Sequence, residues 1–191
     1  PDSYLMGDFL DTTDFGTDAA LYFTRAGLVE SFPLPGGVRR WVVKTPRWVR
    51  EPTPELLAEF VRARLNLTLP AETNTMLSTF GIQRFLARTF ATGRVALVGD
   101  AAHVVSPIGG QGMNLGFLGA WRLAESLAVR GDLSSYAAHR RAARRALLRA
   151  EFNTVMGRAT PLAAARDALT WGILHGPLQG PFARMFTMRG L

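Results

Sequence analysis

The stretch "RVALVGDAAHVVSPIGGQGMNLGFLGAWRLAESL", Arg94–Leu127, decides how the rest of the chain is read. It opens on Arg94 to Val98, a short, unbroken apolar run with the pattern of a strand covered on both faces in a parallel sheet. It closes on an amphipathic helix, predicted from Met113 to Val129 and stopped by Gly131. Between them, five glycines fall within the eleven residues Gly109 to Gly119. Strand, bare loop and helix in that order specify an α/β unit. Ligands of such units bind beyond the carboxyl ends of the strands.

Asp100 stands immediately past that strand. A carboxylate there can accept hydrogen bonds from a ligand hydroxyl, each worth roughly 1.5–3 kcal/mol. It can equally cap the turn into Ala101–Val105, and position alone leaves both readings open. The glycines are also double-edged. Gly109, Gly110 and Gly112 let a flat ligand approach the main chain, and they lead into a helix N-terminus that favours negative charge. Gly112, Gly116 and Gly119 can instead serve close packing of helix on sheet. The dinucleotide fingerprint G-x-G-x-x-G fails by one place, because Gly110-Gln111-Gly112 is followed by Leu115 with Gly116 a residue late.

Totals set outer bounds. A length of 191 residues suits one large or two small domains, and 48% hydrophobic with 19% charged residues reads as globular. Cysteine is absent, which excludes disulfides and thiolate metal sites, and fits a reducing compartment. No run approaches the ~18 apolar residues of a membrane span and no leader pattern is visible, so a cytoplasmic setting is expected. The net charge of +7 raises the question of nucleic acid, yet every basic residue but Lys44 is arginine, many beside alanine as in "HRRAARRALLRA". No aromatic residues interleave Arg140 to Arg149 and no binding module is recognisable. Three scattered histidines, His103, His139 and His175, make no metal site, and His103 reads as a packed structural residue.

The first fifty residues read as antiparallel sheet. "ALYFTRAGLVESFPLPGGVRRWVVKT" holds strand-like runs punctuated by Ala26-Gly27 and Pro35-Gly36-Gly37. Val38, Trp41 and Val43 alternate around Arg39, Arg40 and Lys44, so one face is expected to be wetted. "TPELLAEFVRARL" is a helix with Thr53 as N-cap, Pro54 at its first position and Leu56, Leu57, Phe60, Val61 and Leu65 as its buried stripe. A further strand is predicted around Leu77 to Phe85. Helices are predicted from Leu133 to about Met156 and after Pro161, the latter ending near the glycines and prolines of "HGPLQGPF". Phe32, Trp41, Phe80 and Phe85 could line an aromatic pocket, with core packing the simpler role for each.

The segment "GRVALVGDAAHVVSPIGGQGMNLG" resembles the second flavin-binding segment of the FAD-dependent aromatic hydroxylases, the p-hydroxybenzoate hydroxylase-like flavoprotein monooxygenases. That pattern is GD, then AAH, then P-x-G-G-Q-G-M-N-x-G, and every element is present in order. "FPLPGGVRRWVV" is similar to the family's substrate-domain sheet. The resemblance implies an α/β fold with α+β character. It comprises an antiparallel substrate-domain sheet, the C-terminal return of an FAD-binding Rossmann-like domain, and terminal helices. The division expected is 1–90 for the substrate sheet and helix, 91–131 for the second FAD-binding segment, and 132–191 for the C-terminal helices.

The resemblance also implies FAD as cofactor, NAD(P)H as reductant, O2 as co-substrate, and hydroxylation of a small aromatic or polyketide-like substrate through a flavin hydroperoxide. Asp100 would accept a hydrogen bond from the ribityl chain. Pro107 would lie near the substrate side of the flavin. Gly109, Gly110, Gln111, Gly112, Met113 and Asn114 would line the pyrimidine edge, and no side chain is assigned as acid or base. The family's N-terminal G-x-G-x-x-G and DG motifs do not occur in these residues, so the dinucleotide-binding part is expected in a separate N-terminal segment, in cis or in trans. Without it this chain is expected to be inactive. Its exposed surfaces would then favour association, a homo-oligomer being one expected form. Epoxidation, halogenation or reduction on the same fold is the alternative. Halogenation would need a lysine near the flavin, and Lys44 lies in the sheet hairpin. A nucleic-acid-binding role for the arginine-rich helix is the alternative of a different class.

Overall fold

The computed structural model describes residues 2–108, 110, 112–158 and 160–186. It divides into two compact units, Pro1–Gly81 with Met156–Thr170, and Ile82–Val155 with Trp171–Leu191.

The first unit is built on β1 (Ser3–Leu10), β2 (Ala20–Thr24), β3 (Gly27–Leu34), β4 (Val38–Thr45), helix α1 (Pro54–Leu65) and β5 (Met76–Gly81). The strands form one antiparallel sheet in the order β2-β3-β4-β1-β5. Strand alternation sends Leu5, Phe9, Val29, Trp41 and Val43 to one face, where Leu57 and Val61 of α1 complete the core. Burying each such side chain contributes about 1.5–3 kcal/mol, which holds helix to sheet. α1 starts as its sequence dictates. The Thr53 hydroxyl accepts the Leu56 N–H at 3.2 Å, and the helix ends at Asn66 in the left-handed region. Gly36 and Gly37 take φ of 78° and 71° in the β3–β4 turn, a conformation that only glycine adopts freely.

The wetted face expected of β4 is corrected. Arg39 is fully buried on the core side, bonded through Nε to Asp11 at 2.9 Å and through its other nitrogens to Gly16 O, Asp18 O and Ser31 Oγ. Its guanidinium lies 5.3 Å from the Phe15 ring centroid. A five-donor group can be buried only when its donors find acceptors, and the 11–18 loop supplies them. On the opposite face Arg40 makes a two-bond pair with its register partner Asp8, and Asp2 takes both Lys44 and Arg158. That face is also covered in part by the returning segment. Leu28 N–H donates to Gly157 O, and a Cβ on Gly157 would come within 3.0 Å of Leu28. Glu30 is consequently only 4% exposed, and burial pushes its carboxyl up to about 8.

The second unit contains β6 (Phe85–Leu86), β7 (Ala91–Thr92), β8 (Val95–Ala96), β9 (His103–Val104) and α2 (Gly112–Glu125). A π-helical turn over Ser126–Arg130 follows, and then most of α3 (Ser134–Met156). Helix α4 (Ala163–Leu174) runs from the first unit into the second, and α5 (Gln179–Phe186) follows it. Ala143, Ala146 and Ala150 give α3 a smooth face against Phe90, Ala102 and Leu115.

Several elements differ from expectation. The run Arg94–Val98 is not a strand covered on both faces. It forms only β8, pairs antiparallel with β7, and leaves Val95 65% exposed, because the described residues offer it no parallel neighbour. The run Leu77–Phe85 divides into β5 and β6, which belong to different units. The helix expected to reach Val129 is α-helical only to Glu125. The helix expected after Pro161 is α4, which ends at Leu174 just ahead of "HGPLQGPF", and α5 follows it.

Glu30 gives the first unit a defined pH response. Its folded-state value of about 8 exceeds the ordinary 4.5, so between those limits the fold retains a proton that the unfolded chain releases. Stability is therefore full below the lower limit and falls as pH rises through the window, by at most about 1.4 kcal/mol per pH unit. Glu30→Gln should remove that slope in urea unfolding curves recorded across the window. A wild-type profile already flat there would mean that the carboxyl is ionised inside the fold.

Candidate functional site

The site is a turn brought beside a helix start. Val98 is extended, Gly99 takes φ 61°, and Gly99–Ala101 form one 3-10 turn closed by Ala102 N–H to Gly99 O at 2.9 Å. This turn lifts Asp100 into solvent. Among the described residues no hydrogen bond or ion pair engages its carboxylate, so the acid is not spent capping its own turn.

From there the chain dives inward. His103 pairs with Leu86 across β9 and β6, and its buried ring lies 5.9 Å from that of Phe90. Burial lowers the pKa of its imidazole, against a smaller opposing pull from Asp100. His139 packs 6.3 Å from the same Phe90 ring and is shifted in the same direction, first by burial and then by His103 and Arg122. Val105, Ser106 and Ile108 are buried, whereas Pro107 is exposed. Gly110 N–H closes on Pro107 O at 2.8 Å, with φ 67° and nothing within 4 Å of where a Cβ would stand. Gly109 and Gln111 lie outside the described residues.

The glycines divide by task. A Cβ on Gly112 would meet Val105 at 3.5 Å, one on Gly116 would meet the Cα of Gly99 at 3.6 Å, and one on Gly119 would meet His139 Nε2 at 3.4 Å. These three pack α2 against the turn and α3. Gly99 and Gly110 bend the backbone and face open space. The Gly116–Gly99 approach sets Asp100 next to the start of α2, where Met113 and Asn114 are exposed. The first N–H groups of a helix have no intrahelical acceptor and carry the positive end of its dipole. The arrangement can therefore offer an acceptor carboxylate, bare backbone and a mildly positive helix end to one ligand. Those features fit the ribityl chain and ring edge of a flavin.

Other candidates are dispersed. Trp41 is core, Phe80 stacks on Tyr4 at 5.5 Å, and Phe85 is exposed. Lys44 is held by Asp2 at 2.9 Å in the sheet. Among the described residues no cluster of His, Asp or Glu could hold a metal, and no helix is long and apolar enough to cross a membrane. Sequence reading passed over two residues of α3 that touch the site's supports. The Tyr136 hydroxyl donates to Leu97 O, and Arg140 Nε donates to Ala87 O at 2.7 Å. The only sequence signal was their spacing of four on one helix.

Residues 14–151 match the family model described as FAD binding domain. The chain is 33% identical over 150 residues to 6-methylpretetramide 4-monooxygenase of Streptomyces rimosus, covering 72% of this chain and 27% of that protein. It is 35% identical over 106 residues to rifampicin monooxygenase of Streptomyces venezuelae, covering 53% of this chain and 22% of that one. The solved structure of the anhydrotetracycline hydroxylase OxyS from Streptomyces rimosus superposes with a TM-score of 0.71 at 25% identity, over 100% of this chain and 41% of that one. The match thus spans about a quarter of the length of these curated relatives. With its GD turn, bare glycines and helix start in the family's order, the chain belongs to the FAD-binding domain family of the FAD-dependent aromatic hydroxylases.

Proposed function

We propose that this chain supplies the flavin-contact portion of an FAD- and NAD(P)H-dependent monooxygenase that hydroxylates an aromatic, polyketide-like substrate. The observation that carries the reading is the solvent-facing Asp100 carboxylate, unengaged among the described residues, beside backbone that no side chain covers. FAD held here would supply the oxygen chemistry: with NAD(P)H as reductant and O2 as co-substrate, one oxygen atom would enter an electron-rich carbon and the other would leave as water.

The chain's own residues hold and orient it. Asp100 accepts from a ribityl hydroxyl. Gly110, Gly112, Met113 and Asn114 present main chain to the pyrimidine edge; Gly109 and Gln111, expected at the same edge, lie outside the described residues. The start of α2 favours negative charge there by roughly 0.3–1 kcal/mol. Pro107 faces the substrate side. A polyketide-like aromatic substrate is favoured by two relatives, a 6-methylpretetramide 4-monooxygenase and an anhydrotetracycline hydroxylase. The ion pair that occupies Lys44 weighs against halogenation.

The partner in this reading is an N-terminal FAD-binding segment, in cis or in trans, in a cytoplasmic setting. Met113, Phe117 and Trp121 support it, standing at intervals of four on α2 and 73%, 66% and 70% exposed. A stripe of large apolar side chains marks an interaction surface rather than a solvated one. One acid and a few backbone contacts must otherwise offset an association cost of about 4–15 kcal/mol.

Two outcomes follow. The purified 191-residue chain should be colourless, and a stoichiometric visible flavin band on the monomer would show that no partner segment is needed. In the complete protein, Asp100→Asn should raise the FAD Kd roughly 10- to 100-fold, the loss of one charge-assisted hydrogen bond. Fluorescence titration measures it, and an unchanged Kd removes Asp100 from the site.

A further inference from the structure

Asp100 cannot place itself, since among the described residues nothing holds its carboxylate. Its position must come from the two ends of the turn that carries it. At the entry, Leu97 N–H donates to Phe90 O at 2.8 Å, and Leu97 O accepts the Tyr136 hydroxyl. At the exit, Ala102 O accepts Ala87 N–H at 2.8 Å, and Ala87 O accepts Arg140 Nε at 2.7 Å. Tyr136 is buried, with its ring 6.2 Å from that of Phe90, the residue whose carbonyl holds Leu97. Both ends of the turn therefore run to one helix face, directly at the entry and through Ala87 at the exit.

We propose that Tyr136 and Arg140 are positioning residues for flavin binding, acting through Asp100 by fixing the entry and exit of residues 97–102. Four residues apart, they lie on one side of α3, above the alanine face that seats the helix in the core. A ligand hydrogen bond needs its acceptor placed to about 0.5 Å, and a turn built on glycine at φ 61° does not hold that by itself. Tyr136→Phe removes the entry donor with little change in volume. Arg140→Ala removes the exit donor, whereas Arg140→Lys keeps a donor on a flexible stem. The inference rests on the flavin reading of Asp100 and is separable from it.

The test is a double-mutant cycle in the complete protein, with the FAD Kd read by flavin fluorescence and the melting temperature taken without FAD. Tyr136→Phe and Arg140→Ala should each raise the Kd roughly five- to tenfold, the worth of one hydrogen bond. Arg140→Lys should recover most of that loss. In the Asp100→Asn background the same changes should add less than about twofold, because the group they position is gone. Losses that multiply fully in that background, or Kd values that stay at wild type, overturn the proposal and leave both residues with a purely structural role. If Tyr136→Phe does not fold, the Arg140→Ala and Arg140→Lys pair decides by the same criteria. An Asp100→Asn protein with unaltered Kd would instead remove the flavin reading beneath it.

Discussion

The site hangs on backbone hydrogen bonds at the ends of residues 97–102. A carboxylate that serves a ligand must be left free by its own fold, and freeing it removes the contact that would otherwise fix its turn. The second unit resolves this by moving the restraint outward. Leu97 and Ala102 are bonded on either side of the turn, while Asp100 between them faces solvent. The close approach of Gly116 to Gly99, with a Cβ at 116 standing 3.6 Å from the Gly99 Cα, then brings the helix start alongside. Acceptor and helix end are therefore set by the same few contacts.

The first unit meets a different constraint with the same logic. A hairpin carrying adjacent arginines at 39 and 40 must send one of them to each face of the sheet. Arg40 meets Asp8 directly across in register, a local solution. Arg39 points into the core, and it is tolerable there only because Asp11, Gly16, Asp18 and Ser31 converge on it with Phe15 against its plane. Removing its partners would strand a buried charge, which typically costs several kcal/mol. The 11–18 loop is thus part of the core, although its composition reads as a surface turn.

What the sequence disclosed follows the range of the interactions. The α1 start, the Gly36-Gly37 turn and the stop at Gly131 were legible because each depends on a few neighbouring residues. The GD turn and glycine loop were legible as a motif of known order. Arg39 was misread because its acceptors lie up to 28 residues away, and periodicity alone only said that an arginine belongs in water. Tyr136 and Arg140 were missed for the same reason. Their partners, Leu97 and Ala87, are 39 and 53 residues distant, and both are backbone carbonyls that leave no trace in side-chain chemistry. Arg141, Arg144 and Arg145 on the same helix are exposed, so composition gave no reason to single out Arg140.

The apolar run at 94–98 is a misreading of another kind. An unbroken Val-Ala-Leu-Val series is the composition of a strand that meets hydrophobic neighbours on both faces, because water on either side would favour alternation. In this chain Val95 is 65% exposed and the pairing is a two-residue antiparallel bridge. Composition reflects the surroundings in which a segment works, and the described residues leave this one open on its outer face. The mismatch is not isolated. Met113, Phe117 and Trp121 on α2 are bare as well, and the matched relatives are several times longer than the region they share with this chain. Exposed strand and exposed helix stripe lie in the same unit as the GD turn and flank the same glycine loop. Both features are apolar surface beside the candidate site, and they are what the proposed reading of a partner segment rests on.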